Sequence, residues 1–196
     1  MKSMIKNTLI LTAITLVSGL LLGLVYEVTK EPIANAQELA KKEAYQKVMS
    51  DANEFEQIDV DTDINSPSVY VEEVVKATSG EKTKGYVITT VSKNGYGGDI
   101  QIAVGISSEG IVSGIEILQI SETAGLGMNA QKEEFRQQYV GKEVGKSGYV
   151  VTKQGAKAEN EIDAITSATV TSNAVTEAVN AAVSYYYNVI GGSVNE

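Results

Sequence analysis

The chain opens with one long apolar run, and shorter segments of mixed pattern follow it. Residues 8–26 include no charged side chain and are long enough to cross a bilayer as a helix. Lys2 and Lys6 precede this run and no acidic residue does, so the positive-inside rule places the N-terminus in the cytoplasm. We therefore predict a cytoplasmic tail over residues 1–7, a transmembrane anchor over 8–26, and the remainder outside the cytoplasm.

A cleaved signal peptide is the competing interpretation of this run. Ala34 and Ala36, on either side of Asn35, resemble a small-residue cleavage site. We favour the anchor, because the apolar run is longer than a usual signal core and Ala34 lies well beyond its end. The expected protein is a single-pass protein of the cell membrane with an extracytoplasmic C-terminal domain.

A helical pattern continues after the anchor. Residues 27–50 place apolar side chains at roughly helical spacing, and Pro32 suits a first turn. Residues 51–68 are polar and acidic and are predicted to form a loop. Together, residues 27–68 are predicted to form a helical stalk and a linker.

Four strand patterns come next, over residues 69–77, 85–92, 99–107 and 111–120, and each is rich in Ile, Val or other β-branched residues. Ser107 to Gly110 carry the composition of a hairpin turn between the last two. Consecutive strands of this kind predict a mainly antiparallel sheet.

The rest of the chain mixes helices with glycine-rich segments. We predict a short helix over 131–139, a short strand over 149–152 inside a loop, and a last amphipathic helix over about 172–190. Residues 69–196 are therefore expected to form one α+β domain, in which helices flank the sheet.

Composition removes several kinds of chemistry. The chain has no Cys and no His, which excludes disulfides, thiolate iron–sulfur ligation, Cys/His zinc sites and Ser-His-Asp catalysis. Any redox chemistry must therefore depend on a bound organic cofactor. The net charge of −9 argues against nucleic acid as a partner.

Candidate chemistry is concentrated in residues 163–172, Asp-Ala-Ile-Thr-Ser-Ala-Thr-Val-Thr-Ser. Small hydroxylated residues here lead directly into the last predicted helix. Free N–H groups and the dipole at a helix start favour an anion such as phosphate. A threonine in this position is also a possible point of covalent attachment for a phosphate, and a simple helix cap is the third possibility.

This segment resembles the flavinylation motif of the FMN-binding domain family. Residues 95–100, Gly-Tyr-Gly-Gly-Asp-Ile, resemble that family's glycine–tyrosine strand entry, and residues 122–127, Glu-Thr-Ala-Gly-Leu-Gly, resemble its Glu-Thr-Pro-Gly-Leu-Gly loop. The three segments occur in the family's order. The family includes the G subunit of Rnf electron-transport complexes and the C subunit of sodium-pumping NADH:quinone oxidoreductases.

The resemblance implies a site. Thr169 would carry FMN covalently through a phosphoester, and Asp163 would serve recognition by the flavin transferase that loads it. The further cofactor-binding residues implied are Thr166, Ser167, Ala168, Thr171 and Ser172 around the phosphate, and Glu122, Thr123, Gly125, Leu126 and Tyr96 around the ring. Gly125 and Gly127 would permit close approach of the ring.

The chain departs from the family pattern at three places. Ser167 replaces the usual glycine, Ala124 replaces the usual proline, and Met128 and Asn129 stand where a lysine is often near. Serine tolerates fewer backbone angles than glycine, so the turn around Ser167 is expected to differ. The missing lysine removes one expected contact to phosphate or flavin.

The implied function is that of a membrane-anchored electron-transfer flavoprotein. The resemblance points to a component of an Rnf-type ferredoxin:NAD oxidoreductase coupled to Na⁺ or H⁺ transport, with other membrane and redox subunits as partners. Three alternatives remain at this point: the C subunit of a sodium-pumping NADH:quinone oxidoreductase, a stand-alone extracytoplasmic FMN-binding electron carrier, and an anchored module without redox function.

Overall fold

The computed structural model describes residues 1–61, 66–142 and 148–191, and the chain divides into two compact units, Met1–Ala40 and Lys41–Glu196. The first unit consists of the greater part of helix α1 (Lys2–Val48). Among the described residues, α1 is the one helix long and apolar enough to cross a membrane. The predicted continuation of the apolar helix into a second helical stretch is confirmed. Pro32, however, lies inside α1 and does not begin a new helix.

The second unit is built on a five-stranded antiparallel sheet whose strands are neighbours in chain order. The strands are β1 (Glu54–Ile58), β2 (Val69–Ser79), β3 (Lys82–Ser92), β4 (Ile100–Ser107) and β5 (Val112–Gln119). All four predicted strands are present, and so is the predicted turn, in which the Gly110 N–H donates to the Ser107 carbonyl at 3.0 Å. Gly110 needs its positive φ of 84° to close this turn.

The prediction of a loop throughout residues 51–68 is wrong for residues 54–58. Strand β1 occupies this stretch and pairs with β2, from Glu54 opposite Thr78 to Ile58 opposite Val74. It is an edge strand with mostly exposed side chains, so its sequence lacks the apolar alternation that marks a buried strand.

The helices differ from the predictions mainly at their ends. The helix predicted over 131–139 is a four-residue helix α2 (Glu133–Arg136) between two 3₁₀ turns, Gly127–Gln131 and Gln137–Tyr139. Helix α3 (Thr169–Tyr185) begins three residues before the predicted start and continues into a π-helical turn, Tyr186–Ile190. Because α3 begins earlier, Thr169 belongs to the helix itself.

Two short strands form a separate parallel sheet. Strand β6 (Val150–Thr152) matches the predicted short strand, and β7 (Glu161–Asp163) was not predicted. Asp163 therefore ends a strand, and the candidate segment runs from that strand to the first turn of α3.

The sheet is covered on both faces. Helix α3 and the turn after it pack on one face, and the apolar side chains that they bury there include Val175, Val179, Ala182, Val183, Tyr186 and Ile190. The other face carries a smaller cluster. Its members from the end of α1 and the residues just after it are Tyr45, Val48, Met49 and Ala52, and they pack on Val75, Ala77, Val87 and Ala103. The two clusters take alternate residues of each strand, as the pleat requires.

Candidate functional site

Three segments of the chain meet at the N-terminus of α3. They are the connection between β3 and β4, the loop that follows β5, and the turn between β7 and α3. Together they line a cavity of about 500 Å³, which we call the acceptor cavity. Its lining residues are Tyr96, Glu122, Thr123, Leu126, Gly127, Ser167, Ala168, Thr169, Val170 and Thr171.

Glu122 joins the first two of these segments. Its side chain is 9% exposed, and Oε1 accepts hydrogen bonds from the Tyr96 N–H at 2.7 Å and the Gly97 N–H at 3.3 Å. A Cβ on Gly97 would collide with the Ser121 carbonyl oxygen, so glycine is required where the two segments touch. The carboxylate therefore fixes the backbone beside Tyr96.

The two glycines of the loop after β5 have different surroundings. A Cβ on Gly127 would lie 2.6 Å from Thr171 Oγ1 and 2.7 Å from Glu122 Cβ, so Gly127 allows the loop to pack against α3. Gly125 has a φ of +77° and no heavy atom within 4 Å of a Cβ built there. Gly127 thus serves packing within the protein, whereas Gly125 serves the shape of the turn.

The turn before α3 is held by Ser172. Its hydroxyl accepts the Ile165 N–H at 2.9 Å and donates to the Ala168 carbonyl at 3.0 Å. Ser172 is fully buried and does not line the acceptor cavity. The structure therefore places it beneath the turn, with its hydroxyl engaged by the chain itself.

Ser167 adopts a left-handed conformation with a φ of 62°. This backbone region strongly favours glycine, the residue usual in the family motif. Ser167 thus occupies a backbone conformation that suits glycine, and the expected difference from the turn of relatives with glycine stays a prediction.

The N-terminus of α3 is not capped by a hydroxyl. The N-cap residue is Ala168, and no side chain bonds to the helix start there. This finding speaks against the interpretation of residues 166–172 as a simple helix cap. Thr169 is partly exposed at the first helical position and lines the acceptor cavity, whereas Thr171 is 1% exposed.

Three large, exposed side chains line the acceptor cavity together with Thr169. Tyr96 is 77% exposed, Val170 50% and Leu126 41%. Val170 was not among the residues selected from the sequence. The other valines of α3 are buried, whereas Val170 falls outside their face of the helix. An exposed valine next to Thr169 was the signal that could have identified it.

A second cavity of about 440 Å³ shares Leu126 and Ser167 with the acceptor cavity. It is lined by three residues predicted for the site, Gly125, Asp163 and Thr166, which do not line the acceptor cavity. Gln138 fixes the backbone of Asp163: Oε1 accepts its N–H at 2.7 Å, and Nε2 donates to its carbonyl at 3.3 Å.

One residue that lines the second cavity has a positively charged side chain. Lys132 lines it together with Asn129 and Phe135. The family pattern has a lysine soon after the Gly-Leu-Gly loop. Residues 128 and 129 are Met and Asn here, and Lys132 is the first lysine after the loop.

Comparison with known proteins identifies the family. The FMN-binding domain family matches residues 95–184, which contain the segments that line both cavities, and the RnfG N-terminal region matches residues 1–48. The G subunit of the Na⁺-translocating ferredoxin:NAD⁺ oxidoreductase complex of Acetobacterium woodii is 33% identical, and the match covers 96% of this chain and 94% of the relative. The chain belongs to the RnfG family.

Other RnfG proteins are similar to the chain over nearly their whole length. The G subunit of the proton-translocating ferredoxin:NAD⁺ oxidoreductase complex of Clostridium ljungdahlii is 33% identical, with 93% of this chain and 91% of the relative covered. The G subunit of the ion-translocating oxidoreductase complex of Methanosarcina acetivorans is 32% identical, with 94% and 95% covered. The resemblance carried by three short motifs is thereby confirmed.

Two solved structures share the fold. NqrC of Shewanella oneidensis superposes with a TM-score of 0.57 at 15% identity, covering 80% of this chain and 94% of that one. The C subunit of the Na⁺-translocating NADH-quinone reductase of Parabacteroides distasonis gives 0.57 at 20% identity, covering 78% and 93%. These matches confirm the α+β fold class.

Proposed function

We propose that this protein is a membrane-anchored electron-transfer component of an ion-translocating ferredoxin:NAD⁺ oxidoreductase complex, and that it carries FMN covalently on Thr169. One observation carries the assignment of the attachment point. Thr169 is partly exposed at the first position of a 17-residue helix and lines a cavity that Tyr96, Leu126 and Val170 also line. An accessible hydroxyl at a helix N-terminus suits a phosphoester, since the dipole favours the remaining negative charge.

The residues present fit FMN, which is polar at its phosphate and largely apolar across its ring. The cavity volume of about 500 Å³ is in the usual range for cofactor sites. Thr169 and the start of α3 would hold the phosphate, and Tyr96, Leu126 and Val170 would contact the ring. Bound FMN supplies the transfer of one or two electrons, and the protein positions it and tunes it.

The second cavity supports a role in maturation. Asp163 is exposed there, and Gln138 fixes its backbone without using its carboxylate. Thr166 and Ser167 lie between Asp163 and Thr169 and line the same cavity. We assign this surface to recognition by an FAD-dependent flavin transferase, which would join the FMN phosphoryl group to Thr169 and release AMP.

The complex would place the protein in the cell membrane. The helix that is apolar enough to span it follows Lys2 and Lys6, which favours a cytoplasmic N-terminus and an extracytoplasmic C-terminal domain. Other membrane and redox subunits are the expected partners. The RnfG relatives match over nearly their full length, which favours membership of a complex over a stand-alone carrier. The two NADH-quinone reductase structures support only the fold, because their identity is low.

The decisive experiment is an intact mass of the denatured protein after co-expression with a flavin transferase. We expect wild type to gain the mass of one FMN less water, Thr169→Ala to gain nothing, and Thr169→Ser to gain part of it. Thr83→Ala is the matched control, because Thr83 is a partly exposed threonine on β3 that lines neither cavity. Complete loading of Thr169→Ala, or loss of loading in both variants, would contradict the assignment.

Complex membership and topology need separate measurements. Affinity purification from membranes of the native host should recover the other subunits together with ferredoxin:NAD⁺ oxidoreductase activity. A reporter enzyme that functions only outside the cytoplasm, fused after residue 191, should be active. A protein that is recovered alone would favour the stand-alone carrier, and a cytoplasmic reporter would reverse the proposed orientation.

A further inference from the structure

We propose that the Glu122 carboxylate lowers the reduction potential of the flavin bound in the acceptor cavity. The inference rests on the proposed function and adds a role for one charge. Glu122 lines the same cavity as Thr169, at a side-chain exposure of only 9%. A negative charge in this position interacts with a cofactor through little water, so its effect is screened less than that of a surface carboxylate.

The charge of Glu122 is not neutralised by a neighbour among the described residues. Within the described residues, its hydrogen-bond partners are the N–H groups of Tyr96 and Gly97, and both donate to Oε1. The ion pairs of the described chain involve Glu73 and Glu116, and none involves Glu122. No lysine or arginine is among the residues that line the acceptor cavity.

The electrostatics of the cavity are therefore asymmetric. The N-terminus of α3 contributes partial positive charge at Thr169, where an anionic phosphate is favoured. Glu122 belongs to the loop after β5 and holds the backbone of Tyr96, one of the side chains assigned to the ring. Phosphate is thus favoured at the helix, and the carboxylate acts on the part of the cofactor that lies toward Tyr96.

The direction of the effect follows from the charge balance of flavin reduction. Near neutral pH, two electrons and one proton enter the ring system, which ends with one negative charge. In the proposed complex the electrons come from the neighbouring redox partner. A fixed carboxylate nearby disfavours the added negative charge, so reduction becomes harder and the midpoint potential falls.

The substitution Glu122→Gln separates this charge from the positioning of the loop. The glutamine side chain has the same shape and keeps a carbonyl oxygen that accepts the two N–H bonds. Glu122→Ala removes the charge and the hydrogen bonds together. Glu56→Gln is the matched control, since Glu56 is an exposed carboxylate on β1 and does not line the acceptor cavity.

The test is a spectroelectrochemical titration of the flavin-loaded proteins. We expect Glu122→Gln to favour the reduced form about tenfold, a rise of about 30 mV for a two-electron couple. Glu56→Gln should match wild type. Melting temperatures of the flavin-free proteins and amide exchange at Tyr96 are measured in parallel, and both should change much more in Glu122→Ala than in Glu122→Gln.

The outcomes distinguish this inference from the function beneath it. If wild type takes up no flavin, the proposed function fails and the inference fails with it. If wild type is loaded and the potential of Glu122→Gln equals that of wild type, or lies below it, the function stands and the role of the charge is refuted. A rise in potential accompanied by an equal rise in Tyr96 exchange for Gln and Ala would also refute it, because loop opening would then account for the shift.

Discussion

The two faces of the sheet are covered by helices in opposite ways. On the α3 face, a long helix packs bulky apolar side chains such as Val175 and Val179 into the larger core cluster. On the α1 face, only the end of the helix packs, and its backbone comes so close that β4 and β5 need glycine at 105 and 114. The α3 face depends on the volume of its buried side chains, and the α1 face depends on close approach of the backbone.

Directed polar contacts occur on both faces. On the α3 face the Thr90 hydroxyl donates to the Ala178 carbonyl at 3.0 Å. On the α1 face the Ser113 hydroxyl donates to the Val48 carbonyl at 2.6 Å, and Glu73 accepts from Lys41 at 2.8 Å and from Tyr45 at 3.0 Å. The acceptor cavity instead lies at the N-terminus of α3, where the larger core supports it. Damage to the α1 face should therefore affect the stability of the domain more than the binding of its cofactor.

The largest effect is expected from Gly105→Ala. Its Cβ would collide with the Val48 carbonyl oxygen and lie 2.7 Å from Ser113 Oγ, so the end of α1 would have to move away. We expect the free energy of unfolding to fall by about 3 kcal/mol, which is the upper end of the range for overpacked cores. Chemical denaturation measures it.

Gly114→Ala serves as the graded partner of that change. Its Cβ would lie 3.0 Å from Val48 Cα, so α1 would have to move less. We expect the free energy of unfolding to fall by about 1 kcal/mol. FMN loading at Thr169 should be nearly unchanged in both variants. Equal losses in the two, or a loss of loading that exceeds the loss of folded protein, would show that the faces are not independent.

Val179→Ala tests the α3 face. Val179 is fully buried in the larger cluster, and its truncation should cost about 2 kcal/mol through lost transfer energy and a residual cavity. Val170→Ala is the control on the same helix, with a 50% exposed side chain and an expected change within about 0.5 kcal/mol. Val170→Ala should instead alter the flavin absorbance spectrum. If Val170→Ala lost as much stability as Val179→Ala, the division between core and site would be contradicted.

Alkaline pH should weaken the α3 face through its buried tyrosines. Burial raises the pKa of Tyr139 far above its ordinary value, and burial also raises the pKa of Tyr149. The neutral phenol of Tyr139 stabilises the fold fully below about pH 10, where the unfolded side chain begins to ionise. This stability is lost as the pH rises toward the raised folded pKa, at about 1.4 kcal/mol per pH unit.

Tyr139→Phe isolates this contribution. The variant loses the hydrogen bond between the Tyr139 hydroxyl and Thr176, at 2.8 Å, and should be about 1 kcal/mol less stable at neutral pH. Its stability should then fall less steeply than that of wild type above pH 10. Parallel curves for the two proteins between pH 10 and 11 would show that Tyr139 does not contribute to the pH dependence.

The smallest effect is expected from Ser167→Gly, which should raise stability by about 0.5 kcal/mol. Relief of the left-handed serine gains about 1 kcal/mol, and the greater freedom of glycine in the unfolded chain returns part of it. Thermal denaturation measures the gain. Ser167→Ala, which keeps the unfavourable φ, should not show it, and an equal gain in both variants would point to the hydroxyl instead of the backbone.

The fold could be predicted where the pattern of one segment is sufficient. The β-branched runs of β2 to β5 gave their positions to within a few residues, because each strand is at least partly buried. Strand β1 was missed because it is an exposed, acidic edge strand that depends on pairing with β2. Strand β7 was missed because three residues are too short for any periodicity and pair only with β6.

The site could be predicted as a set of segments but not as a geometry. The motifs brought Tyr96, Glu122 and Thr169 into one group, and the structure places all three around one cavity. The separation of Gly125, Asp163 and Thr166 into a second cavity depends on the path of α2 and its 3₁₀ turns, which no local pattern encodes. The burial of Ser172 could not be foreseen either, because it follows from α3 beginning at Thr169.

The hydroxyl of Ser172 has a consequence for the attachment proposed at Thr169. By joining Ile165 to Ala168 it gives the turn its shape before any cofactor arrives. A short peptide with the sequence of residues 163–172 lacks β6, Gln138 and the rest of α3, so it would pay the entropy of ordering this turn at every encounter with an enzyme. For the attachment proposed above, the folded domain would present this turn already ordered, which removes that entropic cost from each encounter.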